Sequence, residues 1–266
     1  MIFSQISLRK HYTEGYAFFK KSVSLLKEIK RFSSKYDKIM AKRVKKLEDS
    51  EQEGKSWREG ELIRTFKLTR ISVPDETPLM DEWLTAELPE LNPFERYYFD
   101  KALVKAQQGI SGWNEEDLKI KFLGPVLELG QITDDKIAIS YFDKTISATI
   151  DGIRLIVKSD FMLAKGILDV YETPFFHFQE YKPYKNPSGD SMAQLLEAFL
   201  IAQEKNQNGK PMYGVDIMGK NWQFVTMEGR EYCISKSLDA TDRDDLLKII
   251  AILRKFRYIL ETRLMD

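Results

Sequence analysis

The strongest strand signal in the chain lies in ISATIDGIRLIVKSDFMLAKG (residues 146–166) and TPFFHFQEYKP (residues 173–183). In the first stretch, Asp151 and Gly152 stand between runs of β-branched and other apolar residues, a pattern typical of a type I′ hairpin turn. The second stretch also reads as an extended segment. We therefore predict a long β-hairpin followed by a third strand.

The regions downstream of these strands continue an α/β pattern. SMAQLLEAFLIAQEKN (191–206) predicts a helix, and MYGVDIM and WQFVTME, joined across residues 219–221, predict a second hairpin. EYCISK (231–236) is a further strand candidate, and Thr241 to Asp244 resembles a capping box ahead of a helix with a broad apolar stripe. The order of these elements indicates a central mixed sheet flanked by helices.

The regions upstream predict mainly helices. Residues 80–109 predict helical pieces interrupted at Pro89 and Pro93. Asn114 is an N-cap candidate for a further helix that Pro125 kinks or ends. Residues 61–78 predict a strand that leads into a turn bounded by prolines.

The amino-terminal region differs in charge from the rest of the chain. From Arg9 to Lys46 there are thirteen Lys or Arg residues against three acids, although the whole chain balances 41 basic and 41 acidic side chains. Apolar residues recur there every three or four positions, which predicts one long amphipathic helix. We assign residues 1–60 to a basic helical extension and residues 61–266 to the α/β domain. Residues 9–47 are a candidate surface for self-association, a partner protein or nucleic acid.

Composition excludes several classes of protein. Zero formal net charge excludes binding of polyanions by bulk charge alone, and a single cysteine, Cys233, excludes an intramolecular disulfide. With two histidines, a Cys/His zinc site is excluded as well. No GxxxxGK[ST], GxGxxG or GxSxG motif occurs, and no apolar run has the length of a membrane span or a signal peptide. We expect a cytoplasmic protein without a membrane partner.

Three charged residues of the predicted strands are candidates for chemistry. In the third strand a period of two places Glu180 and Lys182 on one face, together with Phe176 and Phe178. Asp160 lies within the preceding strand between apolar runs, where an unpaired carboxylate is costly to bury. Two carboxylates from adjacent strands are ligands that Mg²⁺ prefers. A bound Mg²⁺ can promote hydrolysis of a phosphodiester, and a nearby ammonium can orient the attacking water or stabilise the charge that develops. The alternative is a surface ion pair of Glu180 with Lys182 and a strand-edge Asp160.

The sequence resembles the PD-(D/E)XK nuclease superfamily, and within it the amino-terminal endonuclease domain of type I restriction enzyme R subunits. The resemblance rests on Ser159-Asp160-Phe161-Met162-Leu163, on Glu180-Tyr181-Lys182-Pro183, and on the run from Asn114 to Gly130. It covers about residues 80–240, with serine in place of the proline of the PD motif and a bulky tyrosine within ExK.

This resemblance implies a restriction-endonuclease-like fold and a role for each matching residue. Asp160 and Glu180 would be ligands of Mg²⁺, with Mn²⁺ as a substitute, and Lys182 would position or activate the attacking water. Glu116 would be the helix carboxylate near the metal, with Glu115 and Asp117 as competitors, and Gln194 would be an accessory group. The implied substrate is nucleic acid, in particular DNA, in restriction or another defence role.

Two other functions remain open from the sequence. The chain is alternatively a catalytically silent module that kept the fold and binds nucleic acid or protein, or an interaction protein that associates through its amino-terminal helix. Outside the motif, we assign three groups of residues to structural roles: His177 to the core on the opposite strand face from Glu180, Trp222 and Phe224 to core packing, and Arg254, Lys255 and Arg257 to a solvated helix face.

Overall fold

The computed structural model describes residues 55–71, 77–185 and 187–265. The predicted amphipathic helix and interaction surface over residues 9–47 lie outside the described residues, as do residues 1–54 of the predicted extension. No helix in the described part is long and apolar enough to span a membrane.

A mixed sheet of eight strands forms the centre of the described part. The strands are β1 (Thr69–Ile71), β2 (Ile139–Ile150), β3 (Ile153–Ile167), β4 (Val170–Lys182), β5 (Met212–Met218), β6 (Asn221–Glu228), β7 (Glu231–Ile234) and β8 (Leu238–Asp239). Their order is β1-β7-β6-β5-β4-β3-β2, with β8 paired to β6. The pairs β1–β7 and β4–β5 are parallel and the others are antiparallel.

Helices cover both faces of this sheet. They are α1 (Glu59–Phe66), α2 (Pro78–Leu84), α3 (Pro93–Gly109), α4 (Glu115–Leu118), α5 (Gly124–Leu129), α6 (Ser191–Asn206) and α7 (Arg243–Ile259), with a 3₁₀ turn at Ile110–Gly112 and π turns at Lys119–Leu123 and Leu260–Leu264. Residues of α2 to α5 and α7 form a first apolar cluster on one face, and residues of α1 and α6 form a second cluster on the other. The predicted α/β class, with a central mixed sheet between helices, is confirmed.

Local sequence signals account for several of these elements. Asp151 and Gly152 have φ values of 51° and 77°, which confirms the type I′ turn between β2 and β3. Helix α6 spans the predicted residues, and Asp190 caps it by accepting a hydrogen bond of 3.0 Å from the backbone N–H of Ala193. The second hairpin, β5 and β6, is also confirmed.

The strand predicted to open the stretch 61–78 is wrong at its start, because residues up to Phe66 belong to helix α1. Leu62 and Phe66, one helical turn apart, are both buried in the second cluster. The carboxylate of Glu61 accepts a hydrogen bond from the backbone N–H of Arg58 and so caps the first turn. The helix ends at Phe66, and its C-cap residue Lys67 lies in the left-handed region with φ of 54°.

Two predictions about the carboxyl-terminal helix also need correction. Asp242, not Thr241, caps α7, because the hydroxyl of Thr241 donates to Asp239 while Asp242 accepts the backbone N–H groups of the first turn. Arg254 and Arg257 do not form a solvated face. Both are half-buried and tie α7 to neighbouring segments through Glu95 and Asp134.

Candidate functional site

Asp160 lies where strands β3 and β4 separate. The β3–β4 ladder ends at the pair Phe161 and Gln179, and the carboxylate of Asp160 continues the contact. Its Oδ2 accepts a hydrogen bond of 2.8 Å from the backbone N–H of Tyr181, and its Oδ1 accepts one of 3.1 Å from Lys119 Nζ. The fold therefore fixes this carboxylate at the point where β3 and β4 diverge, with 8% of the residue exposed.

Glu180 is fully buried, and its carboxyl group lies against the carboxyl group of Asp160. Its two carboxyl oxygens have no hydrogen-bond donor within the described ranges. Burial, followed by the negative charge of Asp160, raises the pKa of Glu180 well above its ordinary value. A buried carboxyl group without partners is costly unless a proton or a cation neutralises it.

Lys182 lies two residues further along β4 and is buried as well. Its positive charge opposes, without cancelling, the rise in the pKa of Glu180 and of Asp216 that burial causes. The structure therefore brings together three of the predicted site residues, Asp160, Glu180 and Lys182.

Asp216 of β5 is a fourth charged residue that the sequence prediction missed. It pairs with Glu180 across the parallel ladder and is buried. Burial raises the pKa of Asp216 to about 6, and a hydrogen bond from Ser191 opposes this rise. Its position in MYGVDIM, between core residues Val215 and Ile217, is the signal that would have placed it on the same sheet face as Glu180.

Glu116, the helix carboxylate predicted near the metal, differs from its neighbour Glu115 in exposure and contacts. Glu116 is exposed, whereas Glu115 contacts Lys119 Nζ at 2.9 Å. Lys119 in turn contacts Asp160 at 3.1 Å and Asp143 at 3.5 Å. The helix thus reaches the candidate site through Glu115 and Lys119, and sequence reasoning missed the second of these.

Gln194 lies near the start of α6, on the helix that covers this face of the sheet. It is half-buried, and its Oε1 has no hydrogen-bond partner in the described part of the chain. No hydrogen bond joins it to Asp160, Glu180 or Lys182 within that same part.

A second network supports β4 from the opposite face. The Tyr181 hydroxyl donates to Gln179 Oε1 at 2.7 Å, and Gln179 Nε2 lies 2.9 Å from His177 Nε2. Burial lowers the pKa of His177 to about 3, so its ring is neutral and accepts at Nε2. His177 is a core residue packed on Phe256, and the full burial of Trp222 and Phe224 confirms their structural role.

The predicted alternation along β4 fails at one place. Phe176 packs in the first cluster and Phe175 in the second, so Phe176 does not share a face with Phe178 and Glu180. The cause is an irregularity in the β3–β4 register next to Ala164, which inserts one residue on β4. Beyond this bulge the predicted alternation from His177 to Lys182 holds.

The carboxyl groups suit a hard cation, although the described residues contain no preformed metal cage. Within residues 55–71, 77–185 and 187–265, no group of three or more His, Cys, Asp or Glu side chains is arranged to hold a metal ion. Mg²⁺ usually binds through one or two carboxylates and keeps several waters. The adjacent carboxyl groups of Glu180 and Asp160 fit that requirement.

Comparison with known proteins gives no family for this chain. No protein-family model matches it, and no curated protein matches it.

Proposed function

We propose that the chain is a metal-dependent nuclease that hydrolyses phosphodiester bonds of nucleic acid, with DNA as the substrate. The single observation that carries the proposal is the fully buried carboxyl group of Glu180, which lies beside the carboxyl group of Asp160 and accepts no hydrogen bond from an N–H group of the described residues. Burial of such a carboxyl group costs folding free energy, and a role in binding a cation would explain why the group is there. The resemblance to the PD-(D/E)XK superfamily, and to its restriction-endonuclease-like fold, supports the same interpretation.

Each residue of the site has a chemical role in this proposal. Asp160 and Glu180 would hold Mg²⁺ or Mn²⁺, which when bound polarises a phosphate and lowers the pKa of a water. Lys182, on the same strand as Glu180, would orient the attacking water or stabilise negative charge that develops on the phosphate. Gln194 would be an accessory group on α6, and a restriction or defence role follows from the resemblance alone.

A catalytically silent module is the second candidate, and one observation favours it. Lys119 already supplies a positive charge to Asp160 at 3.1 Å, so part of the site is neutralised without a metal ion. A protein that lost activity but kept this fold would bind nucleic acid or a partner protein without cleaving it.

The test is calorimetric titration with Mn²⁺ of the full-length wild type and of Asp160→Asn, Glu180→Gln and Lys182→Met. We expect the wild type to bind, and both carboxylate variants to lose affinity by more than about 100-fold, since removal of a ligand exceeds the usual effect of its supporting residues. Lys182→Met keeps its affinity but loses cleavage of DNA by roughly 100-fold or more.

Lys185→Met is the matched control, because Lys185 is an exposed lysine three residues further along the chain. It should bind Mn²⁺ and cleave as the wild type does. Absence of Mn²⁺ binding by the wild type at millimolar concentration, with and without DNA, would overturn the nuclease proposal and favour the silent module.

A further inference from the structure

Lys119 holds a position in the candidate site that no motif accounts for. Its side chain is 17% exposed, and its Nζ contacts Glu115 at 2.9 Å, Asp160 at 3.1 Å and Asp143 at 3.5 Å. These contacts converge from a helix and from two neighbouring strands. The ammonium group therefore neutralises a cluster of carboxylates in the way a bound cation would.

The helix geometry explains how the lysine reaches this place. Pro125 has no backbone N–H, and the helix runs through a π turn in which the N–H of Gly124 bonds to the carbonyl of Lys119, five residues back. The helix thus continues through Pro125 into α5. The π turn begins at Lys119, which is joined to Glu115 one turn earlier.

Lys119 contacts the carboxylate oxygen of Asp160 that a metal ion would otherwise bind. Oδ2 of Asp160 accepts the backbone N–H of Tyr181, while Oδ1 accepts the ammonium of Lys119. A divalent ion bound through Oδ1 would lie close to this ammonium, and like charges repel strongly where water is largely excluded. The two cations compete for one carboxylate oxygen.

We propose that Lys119 is a built-in counter-cation of the site, which a divalent ion must displace from Asp160 before it binds. The proposal rests on the proposed metal-dependent function and adds a residue that sets the metal affinity. Glu115 gives the displaced ammonium a second partner on its own helix, and Lys158, 3.3 Å from Asp143, leaves that carboxylate paired. A Lys119 side chain displaced from Asp160 would therefore keep its ion pair with Glu115.

The chain contains a matched control for this lysine. Lys121, in the same π turn, pairs with Asp117 at 2.7 Å with the same spacing of four residues as Glu115 and Lys119. Its side chain is 46% exposed, and its ion partner is Asp117 rather than a strand carboxylate. Substitution of Lys121 removes an equal charge from the same helix without touching Asp160.

The experiment is Mn²⁺ titration by calorimetry of full-length wild type, Lys119→Met and Lys121→Met, with thermal unfolding of each metal-free protein. We expect Lys119→Met to bind Mn²⁺ tighter by roughly tenfold, equivalent to about 1.4 kcal/mol, and Lys121→Met to match the wild type. Lys119→Gln, which keeps a hydrogen-bond donor without the charge, replaces the methionine variant if that variant does not fold.

The remaining outcomes separate the two proposals. Equal affinity of all three proteins, or weaker binding by Lys119→Met, would overturn the competition while the nuclease proposal stands. An equal gain in Lys119→Met and Lys121→Met would assign the effect to net charge and overturn the specific role of Lys119. If neither wild type nor Lys119→Met binds, both proposals fail.

Discussion

Glu180 and Glu197 are two carboxyl groups that the fold removes from water, and they differ in their surroundings. Glu197, in the middle of α6, accepts a hydrogen bond of 3.0 Å from the backbone N–H of Ile156. Glu180 has no such donor among the described residues. The hydrogen bond from Ile156 offsets part of the cost of burying Glu197. We therefore assign Glu197 a structural role and keep Glu180 as a candidate metal ligand.

Glu197 makes the stability of the protein depend on pH. Burial raises its pKa from 4.5 to about 8, although the hydrogen bond from Ile156 opposes the rise. Because the pKa is higher in the folded state, the stabilisation is complete below pH 4.5 and is lost as the pH rises through about 8. Glu197→Gln should therefore be more stable than the wild type by roughly 2–4 kcal/mol at pH 8, and by much less at pH 4.5.

Thermal unfolding at both pH values tests this prediction. Glu204→Gln is the control, because Glu204 is exposed on the same helix, and it should follow the wild type at both pH values. A stability difference between Glu197→Gln and the wild type that does not change with pH would contradict the assignment.

Among the secondary-structure elements, helix α6 matters most for the site, because it packs on the sheet face that carries Glu180 and Asp216. Gly214 of β5 permits the close approach. A Cβ atom at this position would lie 2.6 Å from the ring of Phe199 and 2.7 Å from the carbonyl oxygen of Phe178. Both distances are too short for carbon, and the second contact is with backbone.

Gly214→Ala should therefore push α6 away from the sheet and destabilise the protein by about 1–3 kcal/mol. Gly60→Ala in α1 is the matched control, because nothing lies within 4 Å of the added methyl group. It should stabilise the helix by about 0.5–1 kcal/mol, since alanine replaces glycine inside a helix. Denaturation by urea measures both changes, and an unchanged midpoint for Gly214→Ala would contradict the close packing.

At the scale of the whole molecule, the sheet separates two apolar clusters, and Trp83 lies at the centre of the first. Its ring meets those of Tyr213 and Phe224 edge-on, with centroids 5.1 Å away in each case, and its Nε1 donates to the carbonyl of Ile252. The residue thus connects α2 with the sheet and with α7.

Trp83→Ala should cost about 3–5 kcal/mol of unfolding free energy, as expected for the loss of a large buried aromatic side chain. Tyr97→Ala removes an aromatic side chain from a residue that is 59% exposed and should change stability by less than about 0.5 kcal/mol. Chemical denaturation compares the two variants. A loss for Trp83→Ala no larger than that for Tyr97→Ala would contradict its central role.

The sequence alone predicted those features of the structure that depend on residues adjacent in the chain. The Asp151-Gly152 turn, the cap at Asn114 and the bounds of α6 follow from local backbone preferences. The α/β class followed from the order of these elements. The strand periodicity also placed Glu180 and Lys182 together, because side chains alternate along a regular strand whatever lies around it.

Only the tertiary structure decided which groups meet across elements. The bulge that moves Phe176 to the other face, the choice of Glu115 over Glu116, and the convergence of Lys119 and Asp216 on the site depend on register and on helix position. Contacts between residues distant in sequence are set by the packing of whole elements. A pattern read along the chain therefore predicts the face of a residue more readily than the partner it meets.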